Sequence, residues 1–330
     1  MCAILLSVGL IASAGCTSSA GKAASAQRDD NENVKLVRQH TNISFDVDTA
    51  MTYLKRQVDF GPRVPGSLSH RQCADWLAGT LKGMGYVVTD HEIATPHPVD
   101  GHPIKVRNIF AQSNPDATDR VIILAHYDTR PWADHDADPS KHTLPIDGAN
   151  DGASGVAVAL EIARSIGQLP KDKGLDILLV DQEDSGTYND DDSWCIGSRL
   201  WAENLPYTGS QQPRFAILLD MVGGKDAVFR REYFSQAYAA PINDIVWNAA
   251  KTIGHGARFV DEIGGAINDD HIPLLRAGIP TIDIIETNRA NGGFNSTWHT
   301  TEDNIDNIDP ATIRAVGEVI THVIQSQYDN

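Results

Sequence analysis

The sequence predicts an α/β fold: a three-layer sandwich in which helices cover both faces of a mainly parallel mixed central sheet. Three observations predict it. Short, continuously apolar runs at 120–126, 175–180 and 215–219 read as strands buried on both faces, the pattern of a parallel sheet. Longer segments with apolar residues recurring every three or four positions fall around them and read as helices. Ionisable residues stand directly after the strands, where open α/β sheets hold what they bind.

Taken in order, the chain begins with what reads as an address. Residues 3–14 are apolar and small, a run too short to span a bilayer as a mature helix, and they lead into Gly15-Cys16 and a polar Thr17-Ser18-Ser19. A small residue before Cys after such a run resembles a bacterial lipoprotein signal. Residues 1–16 are therefore expected to be a signal peptide of the lipoprotein type, with Cys16 as the lipidated N-terminus. Cleavage after Ala14, in Ala12-Ser13-Ala14, is the alternative. Either way the chain is expected to be exported, to the periplasm or to the membrane as an anchored lipoprotein. A Ser/Ala/Lys/Asp-rich stretch at 17–40 reads as a flexible tether, and 41–330 as a single α/β domain with no internal linker.

Within that domain, 47–58 and 70–84 read as amphipathic helices, the second closed by Gly85. Residues 106–112 and 120–126 are strands, and 155–166 is a helix. Strands at 175–180 and 215–219 follow, then helices at 242–253 and 270–277, a strand at 281–285 and a closing helix at 310–327. The chain of 330 residues can bury a large core, and 41% hydrophobic with 22% charged residues is ordinary for a globular enzyme. A net charge of −17 argues against nucleic acid, whose phosphates it would repel. With the leader removed before Cys16, Cys73 and Cys195 are the remaining cysteines; one distant pair is no disulfide framework, and a bridge and two buried thiols both stay open.

The chemistry lies in carboxylates and imidazoles at strand ends and turns: His126 and Asp128, Asp151 within Gly148-Ala149-Asn150-Asp151-Gly152, Glu183-Asp184, Asp220 and His299. A zinc ion needs roughly four N, O or S donors, one position being left open at a catalytic site. Any one of these residues alone is weak evidence. An Asp in a glycine turn is ordinarily a capping residue, an acidic pair is ordinarily solvated, and a His is ordinarily packing. Their ordered succession after apolar strands is harder to reach by accident.

That succession, His126-Tyr127-Asp128, then 148–155, Glu183-Asp184, Asp220 and His299, resembles the co-catalytic zinc aminopeptidase superfamily. In its peptidases, residues matching His126, Asp151, Asp184, Asp220 and His299 hold two zinc ions and the residue matching Glu183 is the general base. Further motifs resemble a sister family of the same zinc aminopeptidase-like fold, the animal-type glutaminyl cyclases (glutaminyl-peptide cyclotransferases) in their bacterial branch. These are Asp269-Asp270-His271-Ile272-Pro273-Leu274-Leu275, Trp298-His299-Thr300 with Asp303-Asn304, Thr129-Arg130-Pro131-Trp132-Ala133-Asp134, and Phe60-Gly61-Pro62-Arg63-Val64-Pro65-Gly66-Ser67. The animal enzymes carry Glu-Glu where this chain has Glu183-Asp184, so the shorter Asp184 arm must alter metal distance or backbone placement.

The resemblance implies one zinc per chain on Asp151, Asp184 and His299, and conversion of N-terminal glutamine of peptides to pyroglutamate with loss of ammonia. Ring closure is already intramolecular, so no protein nucleophile is needed. What is needed is a Lewis acid, a base that can also return a proton, and an apolar clamp. By the same resemblance Glu183 is the general acid/base, with Asp220 and Asp269 in a shared-proton network, and Trp298, Phe294 and Ile267 wall the glutamine side chain. Core packing for the aromatics and an N-cap for Asp269 are the ordinary alternatives. His126 and Asp128 are expected to support the site from behind. The Asp190-Asp191-Asp192 run reads as a solvated loop, and Trp194 as reaching the site mouth. The expected partners are glutaminyl peptides, no nucleic acid, and a membrane only through the N-terminal lipid. The competing functions are a two-zinc aminopeptidase and a non-catalytic peptide-binding lipoprotein.

Overall fold

Alternation along a strand sends successive side chains to opposite faces, and the central strands need apolar residues on both. In β3 (Asp119–His126), Val121, Ile123 and Ala125 enter one apolar core while Ile122 and Leu124 enter another. This divides the computed structural model into three layers, as expected from the sequence. It describes residues 44–287 and 293–328; the expected leader and tether lie outside the described residues. Ile43–Asn330 form one compact unit.

On the first face α1 (Val47–Val58), α3 (Ala153–Ile166) and α7 (Pro310–Tyr328) pack together, α3 lying against β3, β4 (Lys173–Val180) and β5 (Phe215–Asp220). Alongside them α2 (Leu68–Gly83) rests on β1 (Val87–Pro96) and β2 (Pro103–Gln112), and α5 (Tyr233–Thr252) on β8 (Thr281–Ile285). On the second face α4 (Ile196–Glu203) and α6 (His271–Arg276) pack together over β2, β5 and β8. A two-stranded sheet of β6 (Phe229–Arg231) and β7 (Phe259–Ile263) stands to one side. The six-stranded sheet runs β1-β2-β4-β3-β5-β8, with β4, β3, β5 and β8 mutually parallel and β1 and β2 antiparallel.

Two departures from the sequence reading have physical reasons. The edge strand β1, VVTDHEIATP, pairs on one side only, so its mixed polar pattern gave no buried-strand signal. Helix α5 begins at Tyr233 rather than after Pro241: Glu232 accepts from the amides of Phe234 and Ser235 at 3.0 and 2.6 Å, and the helix runs through the proline by kinking at Ala239. Cys73 and Cys195 are two separate buried thiols, not a bridge.

Candidate active site

The parallel strands end together, and the acidic and imidazole groups stand on those ends. His126 closes β3 opposite Val180 of β4, and Asp220 closes β5 opposite Ile285 of β8. After β4 the chain turns at Gln182, whose φ of 57° is left-handed, and then presents Glu183 and Asp184. Asp128 accepts from both of their amides at 3.2 Å, fixing that backbone from behind. Asp151 lies in the turn before α3, where Asp303 accepts from the amides of Asn150 and Asp151 at 2.7 and 3.1 Å. Gly152 has φ +93°, and a Cβ there would stand 2.8 Å from the Asp128 carbonyl oxygen, so glycine lets the turn close on β3. Left-handed backbone recurs at Cys195, Met221 and His299, concentrating conformational cost around this cluster.

His299 Nε2 lies 3.0 Å from Asp184 Oδ1 and 3.7 Å from Asp151 Oδ2. Together the three residues offer ligand atoms within 4.8 Å of one another: two carboxylates and an imidazole, a set that leaves a fourth position open on zinc. Both carboxylate oxygens of Asp184 are buried without a hydrogen-bond partner among the described residues, as a metal-binding pair would be before its ion arrives. Burial, partly offset by Asp151 and reinforced by the Arg130 charge, brings the His299 pKa down to about 3, so its ring is neutral near pH 7. The Tyr188 hydroxyl lies 2.8 Å from Nδ1 and partners that nitrogen, while Nε2 faces Asp184 and Asp151. Burial likewise pushes Asp184 up to about 7 against the Arg130 charge, and crowded carboxylates of this kind are relieved by a cation. The residues fit zinc.

Asp151 also belongs to a second triad. His126 Nε2 stands 3.0 Å from Asp151 Oδ1 and 3.2 Å from Asp220 Oδ1, with Nδ1 3.5 Å from Asp128. Burial opposes protonation of His126, but Asp128, Asp151 and Asp220 together carry its pKa well above the usual value. Glu183 is buried, with its remaining exposure toward the cavity. Burial raises its pKa well above the ordinary range, and the Asp184, Asp269 and Asp270 charges add to this against the pull of His126. Glu183, Asp269 and the Cys195 thiol converge, with Cys195 Sγ donating to Glu183 Oε1 at 3.5 Å. Asp269 spends one oxygen on the Asp270 amide at 2.5 Å and leaves Oδ2 unpartnered, while Asp220 is paired with His126. The N-cap position of α6 falls to Asp270.

A cavity of about 900 Å³ opens over these groups. All of Asp151, Asp184, His299, Glu183, Asp220, Asp269, Trp298, Phe294 and Ile267 line it, whereas His126 and Asp128 lie buried behind it. Trp298 stacks on His299 with ring centroids 3.8 Å apart and meets Phe294 at 4.6 Å. Trp194 also lies nearly parallel to the His299 ring, at 6.1 Å. The Asp190–Asp192 run is a loop in which Asp190 caps a short turn by accepting from the Asp192 amide.

Sequence reasoning missed three supports. Tyr188 holds the far nitrogen of His299, yet it stands in a polar loop with no periodicity to mark it. Arg130, quoted only as part of a motif, is fully buried: it donates to both Asp134 oxygens at 2.8 and 2.7 Å and to the Asp184 carbonyl at 3.1 Å. It thereby anchors the backbone that carries the shorter Asp184 arm. Arg63 donates to the carbonyls of Tyr127, Asp147 and Gly148 at 3.0, 2.7 and 2.7 Å, tying the two turns beneath the site.

The sequence model of peptidase family M28 matches residues 108–324. The chain belongs to peptidase family M28. Among solved structures, the M28-like chain is similar to Bacteroides thetaiotaomicron glutaminyl cyclase bound to N-acetylhistamine, at 46% identity and TM-score 0.81, covering 85% of this chain and 98% of that one. It is also similar to a Zn-dependent exopeptidase from Parabacteroides distasonis, at 44% identity and TM-score 0.81, covering 87% and 99%. A Bos taurus glutaminyl-peptide cyclotransferase-like protein is 26% identical over 282 residues, 78% of this chain and 70% of that protein.

Proposed function

We propose that this M28 chain is a glutaminyl-peptide cyclotransferase that binds one zinc ion on Asp151, Asp184 and His299. The observation that carries the reading is the joining, in one cavity, of that three-donor set with the buried Glu183 and an aromatic wall of Trp298 and Phe294. Similarity to solved glutaminyl cyclases supports it. A zinc ion bound there supplies Lewis acidity toward the side-chain amide of the substrate.

The chain's own groups do the rest. Trp298, Phe294 and Ile267 hold the glutamine side chain folded back toward its own α-amine, so the reaction is unimolecular once bound. The amine nitrogen bonds to the γ-carboxamide carbon, the carbon–NH2 bond breaks, and a five-membered lactam and ammonia result. Glu183 takes the proton from the attacking nitrogen and delivers it to the leaving one; its raised pKa suits a group that must work in both directions. Asp269, with Oδ2 unpartnered beside Glu183, is suited to share that proton.

The second triad favours the rival two-zinc aminopeptidase by its residue types. What favours the cyclotransferase is the similarity to glutaminyl cyclases rather than the geometry of this triad, whose ligand atoms also lie within 4.8 Å of one another. We infer from the leader alone that the mature chain is exported, either to the periplasm or to the membrane through a lipid on Cys16.

The test follows mass on a Gln-initiated peptide and colour on an aminoacyl chromogenic substrate, with metal counted on the same sample. Loss of ammonia from the intact peptide, abolished by chelator and restored by one equivalent of zinc, is expected. Release of the first amino acid by a protein holding two zinc ions would replace this reading with the peptidase.

A further inference from the structure

A second cavity of about 810 Å³ adjoins the first and shares Asp191, Trp194, Ala266 and Asn268 with it. These four form a saddle: Asn268 Nδ2 donates to the Asp191 carbonyl at 3.4 Å, closing the rim, and Trp194 is fastened by its indole N–H to the Thr187 carbonyl at 3.1 Å. Beyond the saddle the lining combines apolar Phe234, Tyr238, Leu275 and Ile279 with charged Asp192, Arg199 and Arg276. Tyr238 is 71% exposed, the most exposed large apolar side chain among the described residues. Nothing in the chemistry of ring closure uses this hollow.

We propose that the second cavity is a substrate subsite that receives the peptide three to five residues after the N-terminal glutamine, favouring a bulky apolar side chain next to a carboxylate. The proposal rests on the cyclotransferase reading of the first cavity. Continuity supports the occupant: a peptide whose first residue is buried over the metal triad must leave through the mouth, and Trp194 lines both spaces. Reach supports the register. The Trp194 ring is 6.1 Å from the His299 ring, which two extended residues, roughly 7 Å, would cover. The third residue then lies on the saddle and the next ones beyond it.

Charge supports the preference. Arg199 is already held by Asp192, donating to its carbonyl at 2.9 Å with the carboxylate at 3.7 Å. Arg276 makes no ion pair among the described residues and is exposed on the last turn of α6. On a surface of net charge −17, a free guanidinium beside an apolar hollow selects an acidic group that its surroundings otherwise repel.

The experiment compares Gln-Ala with hexapeptides beginning Gln-Ala-Ala that carry Leu-Asp, Ala-Ala or Leu-Lys at positions four and five. Ammonia release is measured for the zinc-loaded wild type and for Tyr238→Ala and Arg276→Glu. Wild type is expected to show kcat/KM about tenfold higher on the Leu-Asp peptide than on Gln-Ala, mainly through KM, as burial of one apolar side chain would give. Tyr238→Ala removes that increment, Arg276→Glu turns the preference toward Leu-Lys, and both variants cyclise Gln-Ala at the wild-type rate. Equal kcat/KM for all peptides, or an increment that survives both variants, would overturn the subsite. So would loss of self-association in Tyr238→Ala with peptide preference intact, which would give the face to a second copy of the chain. No turnover of Gln-Ala by wild type would instead bring down the cyclotransferase reading, and the subsite with it.

Discussion

Tyr188→Phe removes one oxygen atom and tests whether an exposed loop sets the affinity of the metal centre. Tyr188 is 52% exposed, yet its hydroxyl lies 2.8 Å from Nδ1 of His299. Phenylalanine would keep the ring contacts, with His135 and Trp194 each at 5.5 Å and the Arg130 guanidinium at 5.3 Å, so packing is unchanged. What is lost is the hydroxyl that partners Nδ1 and orients the imidazole. Partners of this kind contribute roughly 10–100-fold in metal affinity. Water can reach the half-exposed position and replace part of the bond, so the low end applies: about tenfold weaker zinc binding, about 1.4 kcal/mol. Competition with a chromophoric chelator measures it, and cyclisation at saturating zinc should stay within a few-fold of wild type. Unchanged zinc affinity would refute a tuning role for Tyr188. A large fall in kcat with zinc saturated would show that the hydroxyl acts on the substrate instead.

Glu183→Gln should retain zinc while turnover falls by roughly 10²–10⁴, the range for a lost general acid–base group; a variant keeping most of its rate would remove Glu183 from that role. The base must be ionised to accept a proton, so kcat/KM should fall as pH drops through the Glu183 pKa. Burial raises that pKa well above 4.5, which places the acid limb above the ordinary carboxylate range, and a limb near pH 4.5 would contradict it. Arg63→Met should destabilise the fold by about 3 kcal/mol in denaturant titration, because three backbone carbonyls lose their buried donor. A loss under about 0.5 kcal/mol, as at a surface site, would mean that water satisfies those carbonyls.

The central strands were readable because burial on both faces demands unbroken apolar runs: β8 falls on the expected 281–285, and β3, β4 and β5 contain the runs that marked them. α1 was readable as 47–58 from its period, and the structure adds the cap, Asp46 accepting from the Asp48 and Thr49 amides. β1, β6 and β7 were not, because half-exposed or very short strands need no such runs. Only tertiary packing decided that helix α5 would continue through Pro241.

The same division runs through the site. Residue types and order determined which carboxylates and imidazoles stand at the strand ends, because the chain can place a donor there only by following each strand with one. Distances between those groups depend on strands far apart in sequence, so only the folded sheet decided that Asp151 faces both His299 and His126. Supports such as Tyr188, Arg130 and Asp303 act through single contacts to a backbone or ring brought near by folding. One contact of that kind has no period and no motif, and it exists only in three dimensions.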